Sequence, residues 1–192
     1  MQSREMALFI QDGVLLPNGR LEFKVVLPDQ LALVASVFKG EYGIAFAAQK
    51  NSGNLPCYRT ITECRIIDFN QLEDDSLSIV LEGVQRLKVL SAAKLRNQMW
   101  IARTLVCPNW RHEPIAGEFE IISAALEQFY EVNPDLYELY SQVYLQDASW
   151  VSQRWLEVLP MYNCDKLRLV EQPNCHKTMD FVLQLLKSHV GL

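Results

Sequence analysis

Residues 72–89 read LEDDSLSIVLEGVQRLKV, an acidic turn followed by a strand. The turn is rich in residues that favour tight reversals, and the positions after it alternate between two faces. The face with Leu77, Ile79 and Leu81 is expected to be buried and the other face to be wet. Gly83 interrupts the strand, which predicts a bend or the close approach of another backbone segment. A bent strand of this kind suits a small closed barrel.

Short strands are predicted on both sides of this stretch. The signals are apolar runs, strict alternation of apolar and charged positions, and turn residues between the runs. Residues 60–69 lead directly into the acidic turn. The predicted strands lie within residues 6–10, 21–25, 42–48 and 99–105.

One helix is predicted inside this series of strands. Pro28 and Asp29 can begin it, and Lys39 with Gly40 can end it. Its apolar residues recur at helical spacing: Leu31, Val34, Ala35 and Phe38.

The character of the sequence changes after residues 108–117, which carry the Pro, Gly and charged residues of a domain boundary. Beyond this segment the apolar residues keep helical spacing, and Asn133 with Pro134 marks one helix start. The sequence therefore predicts an α+β protein, with a β-barrel over residues 1–112 and a helical bundle over 113–192. Helices are predicted over 118–129, 133–143, 147–159, 163–172 and around 179–186.

Composition limits the function classes. The chain has 192 residues, of which 49% are apolar, so it can bury a core. Its net charge of -5 argues against a protein that coats nucleic acid, although a local basic patch is left open. No apolar run approaches the roughly 18 residues that span a membrane, and no signal peptide is recognised. Five cysteines without a close pair indicate reduced thiols, so we expect a cytoplasmic protein.

The common catalytic motifs do not occur in this sequence. A P-loop needs a glycine-rich cradle and a lysine to hold phosphates, and no such stretch exists. The nucleophile elbow, the His-Glu-x-x-His helix and the dinucleotide-binding turn are also missing. We therefore expect a protein that is not an enzyme and that carries no cofactor.

Two weaker constellations deserve weighing. Cys175 and His176 with Cys164 and His112 can be drawn as a zinc site, but closely spaced ligand pairs are lacking. A cysteine nucleophile with one of these histidines or His189 is formally open, since such partners need only meet in space. Buried, inert cysteines are the more common outcome, so no metal is predicted.

Trp110 is the aromatic residue that stands out. It lies in the polar segment 108–113, where a large ring is less easily buried, although packing at a domain junction is favoured over contact with a partner. Arg111 beside it and Tyr42, at the start of an apolar run, complete the set of candidate protein-binding residues.

Several segments together resemble the N-terminal domain of the Lon protease. The most specific is the acidic turn and the strand that ends in Glu82-Gly83-Val84-Gln85-Arg86-Leu87, which looks like the family's Gly-x-x-Arg-aromatic segment. The similarity covers nearly the whole chain. The other matching segments are 6–9, 14–19, 21–23, 67–69, 159–160, 166–170 and the leucine-rich end that follows Pro173.

The chain also departs from the family pattern. Residues 9–12 read FIQD where the family has Phe-Pro-Leu-Pro, and residues 26–30 replace a Phe-Glu-x-Arg-Tyr motif. Ser76 stands where Gly is common, and Leu87 replaces Phe. These differences, and the lack of ATPase and protease domains in this sequence, suggest a divergent, stand-alone branch.

The resemblance implies a PUA-like β-barrel followed by a helical bundle, in a domain that engages substrate polypeptide in Lon. For this chain it implies a non-enzymatic module that binds exposed or unfolded protein segments, as an adaptor in bacterial proteolysis. Gly83 and Arg86 match family motif residues that look structural, and no catalytic residue carries over. RNA binding is the alternative, because PUA-like barrels bind RNA in other proteins, and a cysteine hydrolase is the least favoured.

Overall fold

Strands make up the first part of the chain and helices the second, so the α+β class predicted from the sequence is confirmed. The computed structural model describes the backbone of residues 4–74 and 76–190, and side chains as far as residue 188. Asp75, in the predicted acidic turn, lies outside the described residues. Two compact units result, one up to Asn109 and one from Trp110 onward.

The first unit consists of strands and a single helix within its described residues. Each predicted strand forms, and most boundaries shift by one or two residues, but the strand after the acidic turn runs five residues past Val89, to Lys94. The strands are β1 (Arg4–Gln11), β2 (Arg20–Val25), β3 (Gly43–Ala48), β4 (Thr60–Gln71), β5 (Leu77–Lys94) and β6 (Trp100–Val106), and the helix is α1 (Pro28–Phe38).

The sheet closes on itself through β5. The sheet order is β2-β5-β4-β3-β1-β6, and β5 also pairs with β6. The strands β5, β4, β3, β1 and β6 thus form a closed ring, to which β2 adds along the first half of β5. The pairing of β1 with β3 is parallel and the others are antiparallel. The predicted barrel is therefore present.

Strands β1 and β3 separate two apolar cores. Met6 and Leu8 of β1 contribute to a cluster that draws on all five strands of the ring. Ala7 and Phe9, on the opposite face of β1, join a second cluster that includes the inner face of α1. Because both faces are covered, these strands read as continuous apolar runs rather than alternating ones.

Gly83 is the point where β5 changes from one core to the other. Its N–H donates to Gly19 O at 2.9 Å, and Asn18 N–H donates to Gly83 O at 2.8 Å. A Cβ at this position would lie 2.7 Å from the carbonyl carbon of Leu16. The pairing with β4 shifts by one residue here, leaving Val84 as the extra residue of a bulge. The close backbone approach predicted from the sequence is confirmed.

The prediction of a wet face on the first half of β5 is wrong. Ser78 is 3% exposed and Val80 is 8% exposed, although both lie on the face that was expected to meet water. Strands β2 and β4 flank this half of β5 on both sides, and Glu22 of β2 accepts a hydrogen bond from the Ser78 hydroxyl. Long side chains on a neighbouring strand can therefore help to bury this face of β5.

Glu82, next to Gly83, ties three strands together. Its carboxylate accepts a hydrogen bond from Arg20 Nε of β2 at 2.8 Å and a second from Arg65 of β4. Desolvation of Glu82 works against the charged form, but the two guanidinium groups outweigh it and lower the pKa of the carboxyl.

The second unit is helical. Its described elements are a short 3-10 turn (Gly117–Phe119), α2 (Glu120–Glu131), α3 (Pro134–Tyr137), α4 (Ala148–Val158), α5 (Asn163–Val170) and α6 (His176–Val190). Asp147 caps α4 by accepting a hydrogen bond from Ser149 N–H at 3.0 Å. None of the helices in the described part of the chain is long and apolar enough to cross a membrane.

The predicted helix over residues 133–143 is wrong in length, since α3 contains a single turn. Asn133 does not cap it: its side-chain amide donates to Phe129 O, at the end of α2, at 2.7 Å. The tyrosines beyond this turn pack as aromatic pairs instead, with Tyr140 5.9 Å from Tyr130 and 5.7 Å from Trp150. Tertiary packing therefore overrides the helical periodicity of this segment.

A buried ion pair lies at the centre of the second unit. Arg154 is completely buried, and its Nε lies 2.7 Å from Glu157 Oε2, whose side chain is 5% exposed. The guanidinium also lies 5.3 Å from the centre of the Trp150 ring. Desolvation opposes the charge of Arg154, but Glu157 together with Tyr140 and Tyr130 outweighs it and raises the pKa of the guanidinium.

We expect Gly83→Ala to destabilise the protein by about 3 kcal/mol, because the added Cβ meets backbone that cannot move aside cheaply. Urea unfolding followed by circular dichroism measures the loss. Gly40→Ala is the matched control, since Gly40 has a φ of 72° and no atom within 4 Å of the added Cβ. It carries backbone strain alone, roughly 1–2 kcal/mol. Equal losses in both variants would contradict the steric account.

We expect Glu157→Gln to cost about 3–5 kcal/mol of unfolding free energy, because it leaves the buried charge of Arg154 without its counter-ion. Asp165→Asn is the control, as Asp165 pairs with Arg168 at the same spacing but with 44% and 79% of the side chains exposed. An exposed pair contributes below about 1 kcal/mol. A loss below about 1 kcal/mol for Glu157→Gln would contradict a stabilising role for the buried pair.

Candidate functional site

Helix α1 carries an exposed apolar stripe. Leu27, just before the helix, is 53% exposed, Leu31 is 44% exposed and Phe38 is 56% exposed. With Ala35, which is also exposed, these residues follow each other at steps of three or four, so they share one side of the helix. The stripe points away from the core.

The opposite side of α1 is anchored in the second core of the barrel unit. Leu33 and Val34 are each 3% exposed and belong to the cluster that covers the outer face of β1 and β3. Ser36 is buried as well, and its hydroxyl donates to Leu33 O at 2.8 Å. An apolar stripe on a helix normally faces the core, but here three of the four residues that revealed the helix lie outside.

The stripe continues onto β4. Phe69 is 57% exposed, and its ring lies 5.4 Å from that of Phe38 in an edge-to-face arrangement. Leu27, Leu31, Ala35, Phe38 and Phe69 are called the α1 apolar face below. Contiguous exposed apolar surface of this kind marks interaction sites, whereas isolated exposed residues do not.

A second apolar feature, the α6 groove, belongs to the helical unit. It encloses about 290 Å³. An adjoining depression is lined in part by Tyr162, which is 81% exposed. The residues that line the groove are Leu159, Pro160, Met161, Phe181, Leu185 and Leu186.

The three candidate residues from the sequence take different positions. Trp110 is 6% exposed, and its indole N–H donates to Gln172 O at 2.8 Å, so the ring packs within the helical unit. Arg111 is exposed, and its carbonyl accepts a hydrogen bond from Ser149. Tyr42 is half-buried against the second core of the barrel unit. None of the three belongs to the α1 apolar face.

Sequence reasoning missed the α1 apolar face, although a signal existed. Only Asp29, Gln30 and Ser36 are polar within the helix, so both of its sides are apolar. A helix that is apolar all round is either buried or available to a partner. Phe69 gave no such signal. Its exposure depends on how the end of β4 pairs with β5, which the local sequence does not show.

The cysteines are free thiols, and each of the five lies in the described part of the chain. Burial raises the pKa of Cys57 to about 11 and also raises the pKa of Cys175. Of the four residues considered as a zinc site from the sequence, Cys175 and His176 lie close to Glu113, and the ligand atoms of these three residues are within 4.8 Å of one another. His112 instead pairs with Asp147 at 2.5 Å, and the side chain of His189 lies outside the described residues.

A family model described as the ATP-dependent protease La (LON) substrate-binding domain matches residues 5–188. This chain belongs to the Lon substrate-binding domain family. None of the curated proteins compared with the chain matches it significantly.

Two solved structures have the same fold as this family member. One is a Lon N-terminal domain protein from Xanthomonas campestris, with 22% identity and a TM-score of 0.74 over 94% of this chain and 97% of that one. The other is the N-terminal domain of the Mycobacterium avium complex Lon protease, with 14% identity and a TM-score of 0.62. That match covers 95% of this chain and 96% of the Mycobacterium chain. The membership predicted from the sequence is confirmed.

Proposed function

We propose that this member of the Lon substrate-binding domain family binds exposed apolar segments of other polypeptides through the α1 apolar face. The observation that carries the proposal is the run of exposed apolar side chains on a helix whose opposite side is fixed in the core. The family assignment supports the same class of function, since the matching model describes a substrate-binding domain.

The α1 apolar face has the properties of a preorganised docking surface. Leu33 and Val34 hold the helix in place, so little order has to be gained when a partner binds. Phe38 and Phe69 supply two large rings at its end, and aromatic residues dominate the energy of most protein interfaces. Burying one such side chain contributes roughly 1.5–3 kcal/mol, so a few of them suffice for a reversible complex.

The chemistry of the face favours one kind of partner. The α1 apolar face consists of aliphatic and aromatic side chains, and Asp29 is the one charged residue of α1, so the face suits apolar side chains that a folded client would bury. The net charge of -5 opposes polyanions, which weighs against the RNA-binding alternative. Five free thiols agree with a reducing compartment, and we place the protein in the cytoplasm as a non-enzymatic adaptor in proteolysis.

We expect a fluorescently labelled, permanently unfolded polypeptide to bind the protein, and the Phe38→Ser/Phe69→Ser double variant to bind it at least about tenfold more weakly. Fluorescence anisotropy measures the affinity. Both rings are more than half exposed, so the variant should keep its fold, which circular dichroism checks. Mass spectrometry of the recovered polypeptide should show it uncleaved.

Leu90→Ser is the matched control, because Leu90 is 38% exposed on β5 and stands outside the α1 apolar face. It should bind like the unmodified protein. A structured RNA is titrated in parallel. Tight, salt-sensitive RNA binding without polypeptide binding would overturn the proposal, and so would equal affinities in the double variant and the control.

A further inference from the structure

We propose that Glu113, Cys175 and His176 form a Zn²⁺ site in the helical unit, independent of polypeptide binding. Each residue offers one ligand atom, and the carboxylate oxygen, the thiol sulfur and the imidazole nitrogen all lie within 4.8 Å of one another. These three atom types are the ones that zinc takes in proteins. Only two of the three residues are neighbours in sequence, so the fold creates the set.

The backbone positions all three ligands. The carbonyl of Cys175 accepts the N–H groups of Thr178 and Met179, so Cys175 sits at the start of α6 and His176 opens its first turn. Both backbone groups of Glu113, the N–H and the carbonyl, form hydrogen bonds with the start of α4. Its N–H donates to Asp147 Oδ1 at 3.3 Å, and its carbonyl accepts from Ala148 N–H at 2.8 Å.

The distances fit an ion that enters with small adjustments. His176 Nε2 and Glu113 Oε2 are 2.6 Å apart, which is a hydrogen-bonding distance. In a tetrahedral site with bonds of about 2.0–2.3 Å, ligand atoms stand roughly 3.4 Å apart. Zinc would therefore bind between these two atoms, move them apart by less than about 1 Å, and draw the Cys175 sulfur toward the ion.

The surroundings distinguish this cluster from an ordinary surface ion pair. Cys175 is fully buried, whereas the imidazole of His176 is 59% exposed. Glu113 and His176 line a cavity of about 430 Å³, which leaves the fourth zinc position open to water. On the inner side, Met179 Sδ lies 3.6 Å from the Cys175 sulfur. A thiol among the ligands favours zinc over magnesium or calcium, which take oxygen ligands.

We expect the reduced, metal-free full chain to bind one equivalent of Zn²⁺ by isothermal titration calorimetry. With Co²⁺ as the spectroscopic probe, a thiolate-to-cobalt charge-transfer band should appear. Glu113→Gln and His176→Ala should each weaken Zn²⁺ binding at least about tenfold, and Cys175→Ser should abolish the band.

Cys164→Ser is the matched control, since Cys164 is a partly exposed free cysteine of the same helical unit, and it should leave both signals unchanged. His176→Ala keeps the test decisive even if Cys175→Ser fails to fold, because its side chain is exposed. The absence of stoichiometric Zn²⁺ binding would overturn the proposal. A band that persists in Cys175→Ser, or equal affinities in His176→Ala and Cys164→Ser, would do the same.

Discussion

The barrel unit depends on the close backbone approach at Gly83. The segment 16–19 crosses β5 at this residue and exchanges two backbone hydrogen bonds with it. The crossing leaves no room for a side chain, and the bulge at Val84 turns the strand. One half of β5 can therefore pair with β2 while the other half closes the ring with β6. A straight strand could not serve both neighbours.

The bend in β5 also determines the position of the α1 apolar face. The first half of β5, together with β2, builds the second core on the outer face of β1 and β3, and α1 lies over that core. Helix α1 buries Leu33 and Val34 in that core. Because α1 is almost wholly apolar, its other side presents apolar residues to solvent. The α1 apolar face is thus a consequence of the architecture, and its rigidity suits it to the polypeptide binding that we propose.

The sequence predicted more of the fold than of the site. Gly83, the strands around it and the family resemblance were readable because glycine in a strand and period-two alternation have local causes. The exposure of Leu31 and Phe38 could not be predicted, because apolar residues at helical spacing do not show which side of the helix faces the core. Trp110 shows the converse: packing of its ring was favoured over contact with a partner although its sequence neighbours are polar, and the ring is buried with its N–H on Gln172 O. The meeting of Glu113 with Cys175 and His176 joins segments distant in sequence, which no local pattern encodes.

The central claim is that polypeptide binds on the α1 apolar face. Amide chemical-shift mapping of the isotopically labelled protein during titration with an unfolded polypeptide tests it most directly. If the polypeptide binds there, the largest shifts fall on residues 27–38 and on Phe69, which carry the α1 apolar face. Shifts confined to the α6 groove, with residues 27–38 unchanged, would contradict it.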